Sequence, residues 1–144
     1  MALVTSSTAA ALAVAVAGSP SALAVSNGTN PQTTGCSASA ITTGSTRAIV
    51  DPSNGYRVGT AELRYSTGCQ SQWTRVNFGG GYRVDPSIWL LNQNGTNLHS
   101  AYNDGYSNAY TFQLSDMKYR TACGGVQVYR SNGSWVGWYY IGCA

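Results

Sequence analysis

The sequence predicts an all-β fold, a small antiparallel β-sandwich or partly closed barrel stabilised by disulfides. Short apolar stretches recur with turn signals about every 8–12 residues, a spacing typical of sandwiches and small barrels. No helical periodicity is visible outside the N-terminal segment. Four cysteines follow an apparent export signal, at Cys36, Cys69, Cys123 and Cys143, and an even number in that context predicts two disulfides.

Length and composition favour one folded domain. The chain has 144 residues, which suits a single domain. Only 9% of residues are charged, against about 25% in an average soluble protein, yet ten Tyr, four Trp and 17 Gly are present. Disordered chains have few aromatic residues and high net charge. The net charge of +3 without a basic run also argues against a nucleic-acid partner.

Residues 1–24 are expected to be a secretory signal peptide. The unbroken apolar run from Ala9 to Ala17 is too short to span a bilayer. Gly18-Ser19-Pro20 ends it, and Ala22-Leu23-Ala24 matches a cleavage site. No Lys or Arg precedes the run, which points to a start codon placed too far downstream or a clipped gene. We therefore expect a secreted, extracellular protein with no membrane span.

The mature chain begins with an expected flexible arm, residues 25–34, and continues as a single β domain over residues 35–144. Asn, Ser, Gly, Thr and Pro dominate the arm, a composition typical of loops. The alternative is an extended arm that docks on a partner. Ala48 to Val50 forms a short apolar strand, and residues 51–55 carry Pro and Asn-Gly, which predict a hairpin turn.

The next strand, residues 58–66, is the clearest in the chain. Ala61, Leu63 and Tyr65 alternate with Glu62 and Arg64, so one face is apolar and the other is charged. A turn at residues 66–68 precedes Cys69, and a second strand returns over residues 73–78 with Trp73 and Arg75 on one face.

The middle of the chain predicts further short strands over residues 82–84, 88–91 and 110–114. Gly79-Gly80-Gly81 supplies a turn before the first of them, and Asn92 to Thr96 supplies a turn after the second. Asp85-Pro86 must break a strand or place it at a sheet edge, because proline cannot donate to the ladder.

The end of the chain predicts a hairpin and, from it, a disulfide. Asn132-Gly133 is the strongest signal for a two-residue loop, and this register places Cys123 opposite Gly142. A one-residue bulge would pair Cys123 with Cys143 instead, so Cys36–Cys69 follows by elimination. Zinc is disfavoured because the two cysteines nearest in sequence are 20 positions apart, whereas zinc sites use close pairs.

The ionisable residues predict no catalytic residues, no metal site and no cofactor. The acids are few, and His99 is the lone histidine without a nearby nucleophile motif. Asp51 and Asp104 lie in predicted turns, where Asp is a favoured residue, and Asp85 precedes a proline. We expect Glu62 to pair with an arginine. A glycan hydrolase with two facing carboxylates is kept as an alternative.

The aromatic residues give the candidate ligand-binding set: Tyr102, Tyr106, Tyr110, Trp135, Trp138 and Tyr140. The three tyrosines recur every four residues among Asn, Ser and Gly, a composition typical of adaptable binding loops. On the last strand, alternation places Trp135 with Tyr139 and Ile141 on one face and Trp138 with Tyr140 on the other. The alternative is that these side chains only pack the sheets, since Tyr and Trp are good strand residues.

Residues 28–76 resemble the YjfA-like family of secreted bacterial proteins of unknown function, which is common in actinobacteria. The resemblance rests on Asn30-Pro31-Gln32-Thr33-Thr34-Gly35-Cys36, on Val58 to Ser66, on Cys69 and on Trp73-Thr74-Arg75. It implies export and a Cys36–Cys69 bridge, and it implies no activity.

Together these observations predict a secreted, monomeric binding domain whose ligand is a cell-wall polymer, another extracellular glycan or a secreted protein. Exposed Trp and Tyr side chains stack on sugar rings or anchor protein partners. One alternative is an accessory subunit that docks on a larger exported protein through its arm or an edge strand. The other is a wall-active or glycan hydrolase.

Overall fold

The computed structural model describes residues 21–94 and 96–144, except for the side chain of Ser45. Of the expected signal peptide, residues 1–20 lie outside the described residues. Within the described part, a 3₁₀ turn at Cys36–Ser39 precedes eight strands. The strands are β1 (Ala40–Val50), β2 (Arg57–Ser66), β3 (Ser71–Phe78), β4 (Tyr82–Leu90), β5 (Ser100–Asn103), β6 (Asn108–Thr111), β7 (Ala122–Arg130) and β8 (Trp135–Cys143).

The strands form two antiparallel sheets. The first has the order β1-β2-β3-β6-β5 and the second has the order β4-β7-β8. The predicted all-β sandwich is confirmed, and the sheets are not closed into a barrel. β4 runs unbroken through Pro86 because it is an edge strand of the second sheet, where a missing N–H donor is tolerated.

The core lies between the sheets and follows from the period of two along β2 and β7. Leu63 and Ala61 of β2 are fully buried, as are Val126 and Val128 of β7. Gly124 lets β7 approach the first sheet closely, because a Cβ there would lie 2.6 Å from the Leu63 Cδ2 atom. The aliphatic face predicted for β2 is thus the centre of the sandwich.

The charged side chains on the outward face of β2 form ion pairs. Glu62 is only 8% exposed, and its carboxylate accepts a hydrogen bond of 2.6 Å from the Arg75 Nε group on the facing position of β3. Thr42 on β1 donates to the other oxygen of Glu62. Burial raises the pKa of Glu62, but the hydrogen bonds from Thr42 and Arg75 and the nearby positive charges outweigh it and leave the pKa below its usual value. The expected arginine partner of Glu62 is confirmed.

The turn after β1 is tied to the second sheet by an ion pair. The Asp51 carboxylate is fully buried and accepts hydrogen bonds from the Arg130 Nε and Nη2 groups at 2.8 and 2.7 Å. The Tyr82 hydroxyl donates to the same carboxylate at 3.0 Å. The Arg130 hydrogen bond is the main reason that the pKa of Asp51 lies far below its usual range. Asp51 therefore has a structural role.

The terminal hairpin differs from the prediction in its loop. Arg130 pairs with Ser134 through a backbone hydrogen bond of 2.9 Å, so the loop contains three residues, 131–133, rather than two. Gly133 adopts a φ of 85°, which suits the left-handed position of a three-residue hairpin loop. A register shift between Val128 and Tyr129 follows, and a second one between Gly124 and Gly125 brings Cys123 opposite Cys143.

Two disulfides join the cysteines, and they are the same pairs that the sequence predicts. Cys123–Cys143 links β7 to the end of β8, with Cα atoms 4.0 Å apart. Cys36–Cys69 links the 3₁₀ turn to the β2–β3 turn, with Cα atoms 5.5 Å apart. The second bridge packs with Trp73 and Tyr110 in a small cluster outside the main core.

The N-terminal segment lies against the domain, although its composition predicts a flexible arm. Thr29 forms a bridge with Gln113, and the Asn27 side chain accepts a hydrogen bond of 2.7 Å from the Ser115 backbone. The buried Gln113 amide donates to the hydroxyls of Thr29 and Thr34. The polar residues that resemble a loop in sequence therefore supply the partners that a buried amide requires. Among the described residues no helix has the length and apolar character needed to cross a membrane.

Candidate functional site

The outward face of the second sheet carries a cluster of aromatic side chains. Alternation along β4 and β7 points valines and Ile88 inward and leaves the remaining positions outward. The cross-strand pairs then place Trp89 over Cys123 and Trp138 over Gln127. We call this surface the aromatic face and define it by five residues: Trp89, Tyr129, Trp135, Trp138 and Tyr140.

The centre of the aromatic face consists of three rings in mutual contact. The ring centroids of Trp89 lie 6.2 Å from Trp138 and 6.3 Å from Tyr140, and those of Trp138 and Tyr140 are 5.9 Å apart. Trp138 is 46% exposed and Tyr140 is 47% exposed. Three rings that fix one another's orientation leave large apolar surfaces open to solvent at little entropic cost on binding.

Gly125 sets the position of Trp138. A Cβ at Gly125 would lie 2.5 Å from the Trp138 ring, so the indole can lie flat on the strand only because this position lacks a side chain. The absence of a side chain thus lets a large ring cover the backbone of the central strand.

Trp135 lies on the aromatic face, and the predicted assignment to the opposite face is wrong. Trp135 pairs with Tyr129, and their rings make an edge-to-face contact at 5.3 Å. The register shift near the loop adds one residue to β8 between Trp135 and Gly137, and one extra residue moves a side chain to the other face. Tyr139 and Ile141 do point into the sandwich.

A groove lies beside the aromatic face where β4 meets β5, the edge strand of the other sheet. We call it the polar groove; its volume is about 490 Å³, and its lining is Arg83, Val84, Asp85, Ser100, Asn103, Gly105 and Tyr129. The Ser100 hydroxyl donates to Asp85 at 3.2 Å, and the Asn103 amide donates to the Val84 carbonyl at 2.7 Å. Tyr129 belongs both to the groove and to the aromatic face, so the two surfaces are continuous.

The three predicted tyrosines do not join this site as a group. Tyr102 and Tyr110 stack on each other at 5.2 Å on the outer side of the first sheet. Tyr110 is only 6% exposed and packs against the Cys36–Cys69 cluster, so most of its ring is closed to a ligand. Tyr106 is 82% exposed in the turn between β5 and β6, one residue from Gly105 at the rim of the polar groove.

The turn that carries Tyr106 is organised by Asp104. Its carboxylate accepts hydrogen bonds of 2.8 to 3.0 Å from the backbone N–H groups of Tyr106, Ser107 and Asn108. These backbone hydrogen bonds hold the pKa of Asp104 far below its usual range. The Asp104 carboxylate therefore fixes the conformation of the turn that forms one rim of the polar groove.

Four residues of the candidate site are not among the candidates predicted from the sequence: Arg83, Asp85, Trp89 and Tyr129. All lie on β4 or β7, which pair although β5 and β6 come between them in the chain. Alternation alone shows that Trp89 faces away from Ile88, but not which strand lies beside it. In the described part of the chain, no three His, Cys, Asp or Glu side chains gather closely enough to hold a metal ion.

Comparison with known proteins gives one family. A family model described as "Protein of unknown function (DUF2690)" matches residues 24–125. No curated protein and no solved structure matches the chain. The matched range includes the groove-lining part of β4 and ends at Gly125, so the aromatic residues of β8 lie beyond it.

Proposed function

The chain belongs to the DUF2690 family of unknown function, and we propose that it is a secreted, non-catalytic, monomeric protein that binds glycans, including cell-wall polymers, through the aromatic face. The observation that carries the proposal is the set of mutually packed rings formed by half-buried Trp89 and exposed Trp138 and Tyr140. The finer likeness to YjfA-like proteins, and an actinobacterial origin, are part of the same proposal.

The chemistry of the aromatic face favours a sugar over an apolar protein surface. Among the described residues, the outward positions of β4, β7 and β8 carry aromatic, polar and charged side chains, together with Gly125 and the Cys123–Cys143 pair, and no aliphatic side chain. A pyranose ring offers apolar C–H faces and a rim of hydroxyls. Flat aromatic rings cover such faces, while Gln127 and Asp85, which are cross-strand neighbours beside Trp138, supply hydrogen-bond partners.

The expected export of the protein favours an extracellular ligand. Two disulfides are typical of oxidising compartments, and the Ala22-Leu23-Ala24 sequence suits cleavage after Ala24.

The other candidate functions have less support. A glycosidase needs two facing carboxylates, and Asp85 is the one carboxylate among the described residues that line the polar groove. Asp51 and Glu62 are held by arginines elsewhere. An accessory subunit could use the N-terminal arm, but residues 27–34 already make their hydrogen bonds within the chain.

Removing one ring of the aromatic face should weaken glycan binding. We expect Trp138→Ala to weaken binding of a soluble wall-type oligosaccharide such as chitotetraose by about tenfold or more, equivalent to about 1.4 kcal/mol. Isothermal titration calorimetry on the purified protein measures this change. Tyr119→Ala is the control, since Tyr119 is 87% exposed and lies outside the aromatic face.

The proposal fails if the unmodified protein binds no glycan in a broad panel, or if Trp138→Ala binds as tightly as the unmodified protein. Specific capture of a single secreted protein, lost in Trp138→Ala, would assign the aromatic face to a protein ligand instead.

A further inference from the structure

The polar groove contains a cation, Arg83, that forms no ion pair with another described residue. Arg83 is exposed on the outward side of β4 and lines the groove. Every described ion pair of the chain involves Arg64, Arg75 or Arg130, and among the described residues no carboxylate oxygen lies within 4.0 Å of Arg83. Its guanidinium therefore keeps its planar fork of donors available, and this fork matches the two oxygens of a carboxylate or phosphate.

Asp85 places a carboxylate in the same groove, next to Arg83 along β4. It lies two residues from Arg83 on the same face of β4, a separation of about 7 Å along a strand. Ser100 donates to one oxygen of Asp85, which leaves acceptor capacity on the carboxylate. An ionised carboxylate accepts hydrogen bonds and donates none, so it suits hydroxyl groups and repels an anion.

The walls of the groove fit a sugar ring between these two charges. Tyr129 forms one wall and contacts Trp135 of the aromatic face at 5.3 Å, so a chain bound over the rings continues into the groove. The volume of about 490 Å³ lies within the range of small-molecule sites, about 300–1,000 Å³.

We propose that the polar groove binds an anionic unit of a sugar chain, with its carboxylate or phosphate on Arg83 and its hydroxyls on Asp85. This inference rests on the proposed function, because the rest of the chain would lie on the aromatic face. It adds the chemical class of the ligand: an acidic saccharide, in a protein whose net charge is +3.

A matched pair of oligosaccharides distinguishes binding of the anion in the polar groove from binding of the sugar on the aromatic face. Chitotetraose and the tetrasaccharide of alternating N-acetylglucosamine and N-acetylmuramic acid share one backbone, and only the second carries carboxylates. We expect the unmodified protein to bind the acidic tetrasaccharide about tenfold more tightly at low salt, with the difference shrinking as salt is added. A glycerol-phosphate oligomer is the third probe and shows whether phosphate replaces carboxylate.

The decisive variant is Arg83→Gln, which removes the charge and retains a polar side chain. It should lower affinity for the acidic tetrasaccharide by about tenfold and lower affinity for chitotetraose far less, because the neutral sugar brings no anion to the guanidinium. Arg57→Gln is the matched control, because it removes one positive charge from an exposed position on the other sheet. Asp85→Asn should weaken binding of chitotetraose, because the carboxylate that accepts its hydroxyl groups is lost.

The outcomes separate this inference from the proposed function. If Trp138→Ala weakens both sugars but Arg83→Gln changes neither, glycan binding stands and the acidic groove is overturned. If Arg57→Gln lowers affinity for the acidic sugar as much as Arg83→Gln, the effect is net charge and the site assignment is overturned. If no sugar binds, the proposed function itself is overturned. Arg83-dependent binding of the phosphate probe alone supports the groove and identifies phosphate as its anion.

Discussion

Replacing Cys69 with serine will lower the free energy of unfolding by about 3–4 kcal/mol. The Cys36–Cys69 bridge joins residues 33 positions apart, and the chain-entropy model assigns that value to a loop of this length. For Cys123→Ser the separation is 20 positions, and the expected loss is slightly smaller, about 3 kcal/mol. Since small domains are stable by about 5–15 kcal/mol in total, either change is severe.

Denaturant unfolding measures the loss, and thiol alkylation identifies the partner. In the Cys69→Ser variant Cys36 should become reactive, whereas in the Cys123→Ser variant only Cys143 should. A double change of Cys36 and Cys69 to serine serves as the control and should cost no more than either single change. A loss below about 1 kcal/mol, or a crosslinked peptide joining Cys36 to Cys143, would contradict this account of the fold.

Leu63→Ala should produce a loss of similar size, about 2–5 kcal/mol, because it leaves a cavity at the centre of the sandwich. Leu63 is fully buried between the sheets and faces Gly124. Gly124→Ala alone should cost about 1–3 kcal/mol through overpacking, since its Cβ would meet the Leu63 side chain at 2.6 Å. Ile41→Ala, at a position that is 51% exposed, is the control and should change stability little.

The double variant gives the sharper test. If Leu63 and Gly124 face each other across the core, shortening Leu63 removes one of the two close contacts of the added methyl group and leaves the other, with the Thr74 hydroxyl at 2.6 Å. Gly124→Ala should then cost less in the Leu63→Ala background than in the unmodified protein, by about 0.5–3 kcal/mol. Strictly additive losses in chemical denaturation would mean that β7 does not lie over β2 as described.

Local signals in the sequence predict the hairpins and the Cys123–Cys143 disulfide, and the Cys36–Cys69 disulfide then follows by elimination. The turn residues at 51–55 and 66–69 join neighbouring strands, and the alternation of Leu63 with Glu62 assigns their faces. In both hairpins the paired strands are adjacent in the chain, so the turn chemistry specifies the register of the pairing.

The aromatic face could not be predicted as a whole, for two physical reasons. Trp89 reaches it through the pairing of β4 with β7, and that contact skips two intervening strands. Trp135 reaches it because the Ser131-Asn132-Gly133 loop has one residue more than the Asn-Gly signal implies, and the bulge that follows reverses the side-chain alternation. A loop sequence that ends in Asn-Gly is compatible with a loop of two residues and with a loop of three.

Titration of the ¹⁵N-labelled protein with the acidic wall tetrasaccharide tests the central claim most directly, because each of the four tryptophans gives one indole N–H signal. Trp89, Trp135 and Trp138 lie on the aromatic face, whereas Trp73 is 3% exposed beside the Cys36–Cys69 bridge on the other sheet. We expect the first three signals to shift together with a common saturation curve and the Trp73 signal to stay in place. Saturable binding that moves Trp73 while the three signals of the aromatic face stay in place would contradict the claim, as would the absence of any shift.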